Sequence, residues 1–370
     1  MIGVLHAYSR TNSGDGLLVD LTLERLGRAG VTRSDVALVA LDPASFSDIP
    51  RRWAMGTRGR GLAWELVPAG GRAVALAGSA AIRRPIGALA RELAACAALV
   101  AVGGGYLRAV GLTSSIGTAL NHLPQLVEAG RAAVPSLYLP QSIGPLRGPV
   151  GAAVRRGLRG VDAVCVRDRW SAAELDGLPN VRRVPDLAVL ELAERVDQIE
   201  RAARGGRVGL VARQVGHAAG YEDHLRTLAD KLGDRAVWAV QTAGDRTKSD
   251  AVHYERHGIT PGGSLVELLA SRALSAVVSV RLHGALMALR AGVPAIHLAY
   301  DRKGPAAFAD LGLDEWCYDV RELERVDLGA AVSALAENAS IYWERLDART
   351  ERLRCASEEL DELIGATLVR

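Results

Sequence analysis

"ALSAVVSVRLHGALMALRAGVPAIHLA" spans residues 273–299 and contains two short apolar runs on either side of a segment with a different spacing. Ala273–Ser279 and Pro294–Ala299 are rich in aliphatic and β-branched residues, which is typical of parallel strands buried on both faces. Between them, "GALMALRAGVP" has apolar residues at helical spacing. This order of strand, helix and strand decides the fold class, because it predicts a parallel α/β sheet.

The turn after the first of these strands contains two groups that can carry positive charge, Arg281 and His283. In an open α/β sheet, ligands bind beyond the carboxyl ends of the strands, where the next helix also presents unpaired backbone N–H groups. Both side chains would favour an anion at this position. A structural interpretation stays open here, with Arg281 on the surface and His283 capping its own helix.

The same alternation extends over most of the chain. Further buried strands are predicted over the ranges Ile2–Ala7, Val36–Leu41, Ala98–Val102, Val134–Leu139, Ala163–Val166, Arg207–Ala212 and Ala236–Gln241, with helix-like sequence between them. A charged stretch interrupts the pattern at 191–206. We therefore predict two Rossmann-like domains, residues 1–190 and 207–335, joined by that linker, with C-terminal helices over 336–370 that pack across the domains.

One segment does not fit the alternation. Residues 51–85 are rich in Arg, Gly and Trp. Their sequence is consistent with a loop over an active site, with a basic patch that contacts anionic lipid at the membrane periphery, or with a solvated surface excursion.

The composition excludes several classes of protein. The chain has 370 residues, 49% of them hydrophobic, and a formal net charge of +3. That charge is too small for a dedicated nucleic-acid-binding protein, and no zinc-finger pattern or basic aromatic stripe is present. The four cysteines have no metal-ligand spacing, and no apolar run reaches about 18 residues. We therefore expect a soluble protein of the reducing cytoplasm that binds no nucleic acid.

Polar and glycine residues gather where the predicted strands end. They are Asn12 and Asp15, Gly103, Gly104 and Gly105, Gln141 and Ser142, Arg167, Arg213, Gln241 and Asp245, Arg281 and His283, and Asp301 and Lys303. Each has a structural alternative: Asp15 is well placed for a helix N-cap, Arg167 for an ion pair with Asp168, and Lys303 for solvation. Core packing does not require all of them at strand ends, so their joint placement favours a ligand site.

The sequence resembles the polysaccharide pyruvyl transferases. The resemblance is carried, in order along the chain, by "NSGD", "GGGYL", "PQSIGP", "RDRWS", "VPDLA", "SVRLHGALMALRAGVP" and "YDRK". It implies a fold similar to that of the two-domain glycosyltransferases of B type. It also implies an enzyme of cell-envelope polysaccharide biosynthesis that moves a pyruvyl group from phosphoenolpyruvate onto a saccharide as a ketal.

The resemblance also implies roles for the residues at the strand ends. The C-terminal domain would bind phosphoenolpyruvate and the N-terminal domain the acceptor. Substrate-binding residues would be Arg281, Leu282, Lys303, Arg167, Arg213, Gly103, Gly104, Gly105, Gln141, Ser142 and Asn12. His283 would donate to the phosphate or transfer protons, because its unperturbed pKa lies near neutrality. It is the first candidate for acid or base catalysis, with Asp15 and Asp245 as its partners. No metal-ligand cluster is evident in the sequence, so we predict a metal-independent reaction without a cofactor.

Two other functions fit the same architecture. One is a nucleotide-sugar glycosyltransferase, whose donor also carries phosphates between two Rossmann-like domains. The other is a catalytically silent protein that binds a sugar or an anion. The acceptor sugar, its carrier (a lipid or a nucleotide) and the oligomeric state are left open by the sequence.

Overall fold

A computed structural model describes residues 1–54, 88–203, 205–216, 220–242 and 249–369, and the chain divides into two compact units. Unit 1 comprises Met1–Arg10, Asp15–Leu187 and Glu358–Arg370, and unit 2 comprises Thr11–Gly14 and Ala188–Ser357. The change of unit after Leu187 falls within a helix, Leu187–Arg195. The predicted linker at 191–206 therefore begins inside regular structure.

Unit 1 contains a seven-stranded parallel sheet in the order β3-β2-β1-β4-β6-β8-β9. Its strands are β1 (Ile2–Ala7), β2 (Val36–Ala40), β3 (Arg51–Ala54), β4 (Ala98–Ala101), β6 (Ser136–Gln141), β8 (Ala163–Val166) and β9 (Val181–Arg183), and a separate parallel pair consists of β5 (Leu107–Ala109) and β7 (Ile143–Leu146). The strands β1, β4 and β8 are fully buried, as is typical of parallel strands with helices on both faces of the sheet. Leu5, Val39, Ala101, Tyr138 and Val164 join five of these strands in one core.

The helices of unit 1 alternate with these strands. They are Ser13–Arg28, Ala88–Ala94, Gly111–Asn121, Leu123–Ala129, Gly148–Arg159 and Arg169–Glu174. The first two helices after β4, Gly111–Asn121 and Leu123–Ala129, lie in a segment with a continuous helical pattern in the sequence. They are separate because Pro124, in the first turn of Leu123–Ala129, has no N–H to continue the preceding helix.

Unit 2 contains a six-stranded parallel sheet in the order β12-β11-β10-β13-β14-β15. Its strands are β10 (Arg207–Val211), β11 (Ala236–Val240), β12 (Gly263–Ser264), β13 (Leu274–Ser279), β14 (Ala295–Ala299) and β15 (Cys317–Asp319). Its helices are Tyr221–Leu232, Asp250–Arg256, Leu265–Ala270, Leu282–Arg290, Lys303–Asp310 and Leu328–Glu337, and the last helix, Ser340–Val369, belongs to unit 2 as far as Ser357 and to unit 1 from Glu358.

Both large sheets have the strand order of a doubly wound Rossmann fold. In each, the third, second and first strands along the chain are followed across the sheet by the fourth, fifth and sixth. The predicted α/β class with two Rossmann-like domains is confirmed. The alternating pattern of strands and helices in the sequence did not predict several short strands. They are β3, β9, β12 and β15 at the sheet edges, and the β5–β7 pair.

Residues 51–85, which do not fit the predicted alternation of strands and helices, start with a strand. Residues 51–54 form β3, which pairs in parallel with β2 at the edge of the unit 1 sheet. The rest of that segment, from residue 55 to residue 85, lies outside the described residues. Among the helices that the structure describes, none has the length and apolar character needed to cross a membrane.

The close approach of two helix ends in unit 1 gives a test of the fold. Gly130 and Gly160 follow the helices Leu123–Ala129 and Gly148–Arg159, and a Cβ added at Gly160 would overlap the carbonyl oxygen of Gly130. Because overpacking costs about 1–3 kcal/mol, we expect Gly160→Ala to lower the free energy of unfolding by that amount, measured by urea denaturation. The control is Gly117→Ala, whose Cβ would meet no atom within 4 Å. Equal stability of Gly160→Ala and wild type would contradict this packing.

Candidate functional site

The reversal of strand order in unit 2 lies between β10 and β13, which are neighbours in the sheet. Chains that leave such a pair of strands cross to opposite faces of the sheet, so a crevice opens at their carboxyl ends. β10 is followed by Arg213, and β13 is followed by Arg281 and His283. Three of the predicted site residues therefore come from the two strands that form this crevice.

Arg281 is held by a carboxylate that the sequence did not reveal. Its Nε and Nη2 donate to Oδ1 of Asp250, at 2.8 and 2.5 Å, and both side chains are buried. Oδ2 of Asp250 accepts from the backbone N–H groups of Gln241, at 3.0 Å, and Thr242, at 2.9 Å. Burial raises the pKa of Asp250, and the guanidinium and the N–H groups oppose that shift. The pair fixes the orientation of the guanidinium and neutralises much of its charge.

Asn12 and Ser13, from the N-terminal "NSGD" motif, contact the same edge of unit 2. The backbone of Asn12 forms an antiparallel bridge with Thr242, and Ser13 Oγ donates to the carbonyl of Gln241 at 3.1 Å. A Cβ added at Gly14 would lie 2.6 Å from Nδ1 of His283, so only glycine permits this contact. Asn12 and His283, which are predicted site residues 271 positions apart in the sequence, thus lie within one cluster.

His283 is half-buried in the first turn of the helix Leu282–Arg290. The backbone N–H groups of Leu282 and His283 precede the first intrahelical bonds, which is the arrangement that binds anions at helix N-termini. The side chain of Leu282 is buried in the core. A ligand would therefore meet Leu282 through its backbone.

Arg213 and Lys303 have different surroundings from Arg281. Nη1 of Arg213 donates to the hydroxyl of Tyr300 at 2.9 Å, and its guanidinium lies over the Tyr300 ring, 5.3 Å from the centroid. Among the residues that the structure describes, no carboxylate pairs with Arg213. Lys303 begins the helix Lys303–Asp310 and has its Nζ 3.3 Å from Oδ2 of Asp301. The charge of Arg213 is therefore less compensated than that of Arg281.

In unit 1, Arg167 and Ser142 belong to a buried network. Arg167 follows β8 and forms an ion pair with Asp186, and its Nε donates to Ser142 Oγ at 3.0 Å. Ser142 Oγ donates to Oδ2 of Asp168 at 2.6 Å, and the other carboxylate oxygen of Asp168 caps the next helix by accepting from the N–H of Ser171. The expected local partner of Arg167 was Asp168, whereas the structure pairs Arg167 with Asp186. The buried position of this guanidinium supports a structural role.

The three glycines after β4 allow close packing next to this network. A Cβ at Gly103 would lie 2.6 Å from the carbonyl oxygen of Pro140, and one at Gly105 would lie 3.8 Å from Nη2 of Arg167. The carbonyl of Gly104 accepts from the N–H of Ser142 at 2.8 Å. Gln141 is fully buried beside this network.

Unit 1 also contains a chain of buried hydrogen-bonding rings at its own reversal of strand order. His6 in β1 contacts the hydroxyl of Tyr138 at 2.9 Å and Nδ1 of His122 at 3.2 Å, and His122 Nε2 contacts the hydroxyl of Tyr8 at 3.0 Å. His6 has a φ of 64°, a left-handed conformation that costs energy outside glycine. Burial lowers the pKa of His6 well below its ordinary value and that of His122 to about 3. Both imidazoles are therefore neutral at pH 7.

The catalytic roles predicted for Asp15 and Asp245 stay predictions. Asp15 is half-buried in the first turn of the helix Ser13–Arg28 and belongs to unit 1, where its charge raises the pKa of Tyr8 further than burial alone. Asp245 lies outside the described residues. Sequence reasoning missed Asp250 and the rings of His6 and His122. The only signal for Asp250 was its place five residues after a predicted strand-end residue, and His6 was hidden inside an apolar strand.

The chain was compared with known proteins. A family model described as "Polysaccharide pyruvyl transferase" matches residues 12–302. No curated protein matches significantly. Among solved structures, UDP-GlcNAc 2-epimerase from Neisseria meningitidis bound to UDP-GlcNAc is similar at a TM-score of 0.51 and 10% identity, with 97% of this chain and 100% of that chain covered. The glycotransferase of kitacinnamycin is similar at a TM-score of 0.50 and 16% identity, with 99% of this chain and 98% of that chain covered. Similarity at this level of identity concerns the fold, and it agrees with the predicted likeness to B-type glycosyltransferases.

The neutral imidazoles of unit 1 make stability depend on pH. The pKa of His122 is lower in the folded protein than its unfolded value of 6.5. The contribution of the neutral imidazole to the free energy of unfolding is therefore present above about pH 6.5 and is lost as the pH falls toward 3. Wild type should therefore lose about 2 kcal/mol more than His122→Asn between pH 7 and pH 5, measured by urea unfolding. The control is His224→Asn, a half-buried histidine of unit 2. Parallel pH curves for wild type and His122→Asn would refute the assignment.

Proposed function

The chain belongs to the polysaccharide pyruvyl transferase family, and from this premise we propose that it transfers the pyruvyl group of phosphoenolpyruvate to two hydroxyls of a saccharide. The observation that carries the proposal is the contact of Gly14 with His283 in unit 2. It joins the motifs near the two ends of the matched region at the carboxyl edge of one sheet, where α/β proteins bind ligands.

The proposed reaction exchanges bonds without a cofactor. The methylene carbon of phosphoenolpyruvate takes up a proton, and a sugar hydroxyl adds to C2 and releases its own proton. The bond from C2 to the phosphate oxygen breaks, phosphate leaves, and the second hydroxyl closes the ketal with loss of a proton. The chemistry requires groups that bind two anions and one group that moves protons.

Arg213 is our first candidate for an anion-binding side chain. Its described partners are neutral: the carbonyl oxygen of Gln214, which accepts from Nε at 3.4 Å, and the hydroxyl and ring of Tyr300. Its planar fork matches a carboxylate or a phosphate. The N–H groups at the start of Leu282–Arg290 would add donors. Arg281 is better suited to positioning, because Asp250 accepts from two of its nitrogens.

His283 is our candidate for proton transfer. It is half-buried and lies in the first turn of the helix whose N-terminus would bind the anion. An imidazole changes its charge near neutral pH, so it can donate to the methylene carbon and accept from a hydroxyl without a large energetic penalty.

A release assay tests the proposal. The purified chain is incubated with phosphoenolpyruvate and a panel of free, nucleotide-linked and lipid-linked sugars, and phosphate release and product mass are measured. We expect acceptor-dependent phosphate release with one pyruvyl ketal added per acceptor. Transfer from a nucleotide sugar without consumption of phosphoenolpyruvate would instead identify a glycosyltransferase. That function is compatible with the complex that a structural neighbour, LpCGTa, forms with UDP. Binding of either compound without turnover would indicate a silent binding protein.

The proton-transfer role predicts a specific kinetic pattern for His283→Ala. We expect kcat to fall by about 10²- to 10⁴-fold while the Kd for phosphoenolpyruvate stays within about threefold of wild type, because general acid–base catalysis contributes in that range. Turnover is measured at saturating donor and the Kd by calorimetry, with His224→Ala as the control. A role in anion binding alone would raise Kd with little change in kcat. Unchanged kcat with a lower melting temperature would refute both roles.

A further inference from the structure

A group of metal-ligand side chains lies in unit 2 outside the residues used above. Glu222 is in the first turn of the helix Tyr221–Leu232, and His253 and His257 lie one turn apart at the helix Asp250–Arg256. Each can offer one ligand atom such that all these atoms lie within 4.8 Å of one another. The three side chains line a pocket of about 230 Å³ together with Gln214, Val215, Gly216 and Arg256.

The imidazole of His253 has a nitrogen whose bonding is otherwise unexplained. His253 is 4% exposed, and its Nε2 is buried without a hydrogen-bond partner in the described ranges of the chain. A buried polar atom without a partner costs about 1–3 kcal/mol, so a ligand that pairs with it would recover that cost.

His257 is oriented for coordination by the backbone of the same helix. Its Nδ1 lies 2.8 Å from the carbonyl oxygen of His253, so that nitrogen carries the proton and donates. The lone pair is then on Nε2, and the outer hydrogen bond fixes the ring, as is usual for histidine metal ligands. The two imidazole centroids are 4.3 Å apart.

The donor set selects the kind of metal. Two imidazole nitrogens and one carboxylate suit zinc, which binds in catalytic proteins through three such ligands and a water, whereas calcium and magnesium prefer oxygen donors. Arg256 at the same pocket lowers the affinity for any cation, and Glu222 is the negative ligand that offsets it. We propose that Glu222, His253 and His257 form a zinc-binding site with one coordination position open to water.

The position of the site links it to the substrate edge of unit 2. The helix Asp250–Arg256 carries Asp250 at its first residue and His253 one turn later, and Asp250 holds Arg281. Zinc would join this helix to Tyr221–Leu232. The proposed transfer reaction does not need the metal, so zinc binding and pyruvyl transfer can be tested separately.

Direct binding tests the proposal on the full chain. The protein is stripped of metal with a chelator, and ZnCl₂ or MgCl₂ is titrated by calorimetry and by thermal shift. We expect one zinc per chain with a Kd in the micromolar range or below, a rise in melting temperature of about 5 °C at a hundredfold excess over Kd, and no such rise with magnesium. Cobalt(II) should give the visible absorption of a four-coordinate nitrogen and oxygen site.

Two variants separate this site from other histidines. His257→Ala and Glu222→Gln change partly or fully exposed side chains, and each should weaken zinc binding by about a hundredfold. His224→Ala, on the same helix as Glu222, should bind like wild type. The proposal is overturned if wild type binds no stoichiometric zinc, if magnesium binds equally well, or if both variants retain wild-type affinity. If a variant does not fold, the cobalt spectrum of wild type decides, since its absence contradicts the site.

Discussion

The buried ion pair of Asp250 and Arg281 is the interaction on which the geometry of unit 2 depends. A carboxylate that is fully buried must have its lone pairs occupied, and here a guanidinium and the N–H groups of Gln241 and Thr242 occupy them. Removal of one member of such a pair leaves an uncompensated buried charge, which costs about 3–5 kcal/mol. The pair therefore fixes three elements at once: the end of β11, the helix Asp250–Arg256 and the turn after β13.

Unit 1 also contains a buried arginine that forms an ion pair with a buried carboxylate. Arg167 follows β8, is buried, and pairs with Asp186 from a segment further along the chain. In both units, an arginine within two residues of the end of a buried strand is held by a carboxylate from another segment. These ion pairs restrict the geometry of the turns, so the two arginines would act mainly by organising the backbone of their turns. The contacts to an anion would then come from neighbouring N–H groups and from side chains such as Arg213.

The sequence predicted the parts of this molecule that follow from local pattern. Buried strands such as Ile2–Ala7 and Ala163–Val166 were predicted at their observed bounds, because aliphatic runs between turn residues have few other structures. The ion pairs were not predictable, since Asp250 and Asp186 lie 31 and 19 residues from their arginines and any nearby carboxylate fitted equally well. The left-handed backbone of His6 was also hidden, because a strand pattern gives no sign of a local departure from it. Edge strands as short as β12 carry too few residues for a pattern.

The proposed reaction has two opposing electrostatic requirements: the site must attract an anionic donor, and it must tolerate positive charge that develops at C2. The ion pair of Arg281 with Asp250 is compatible with both. Phosphoenolpyruvate is an anion and is attracted by positive charge, but protonation of its methylene carbon creates positive charge at C2. A site with several uncompensated cations would bind the donor well and destabilise that transition state, and binding of the ground state alone does not accelerate a reaction. With Arg281 paired to Asp250 and Lys303 close to Asp301, Arg213 would exert most of the attraction among these three side chains, and from one direction. Positive charge would then act on the anionic groups of the donor while the field at C2 stays small.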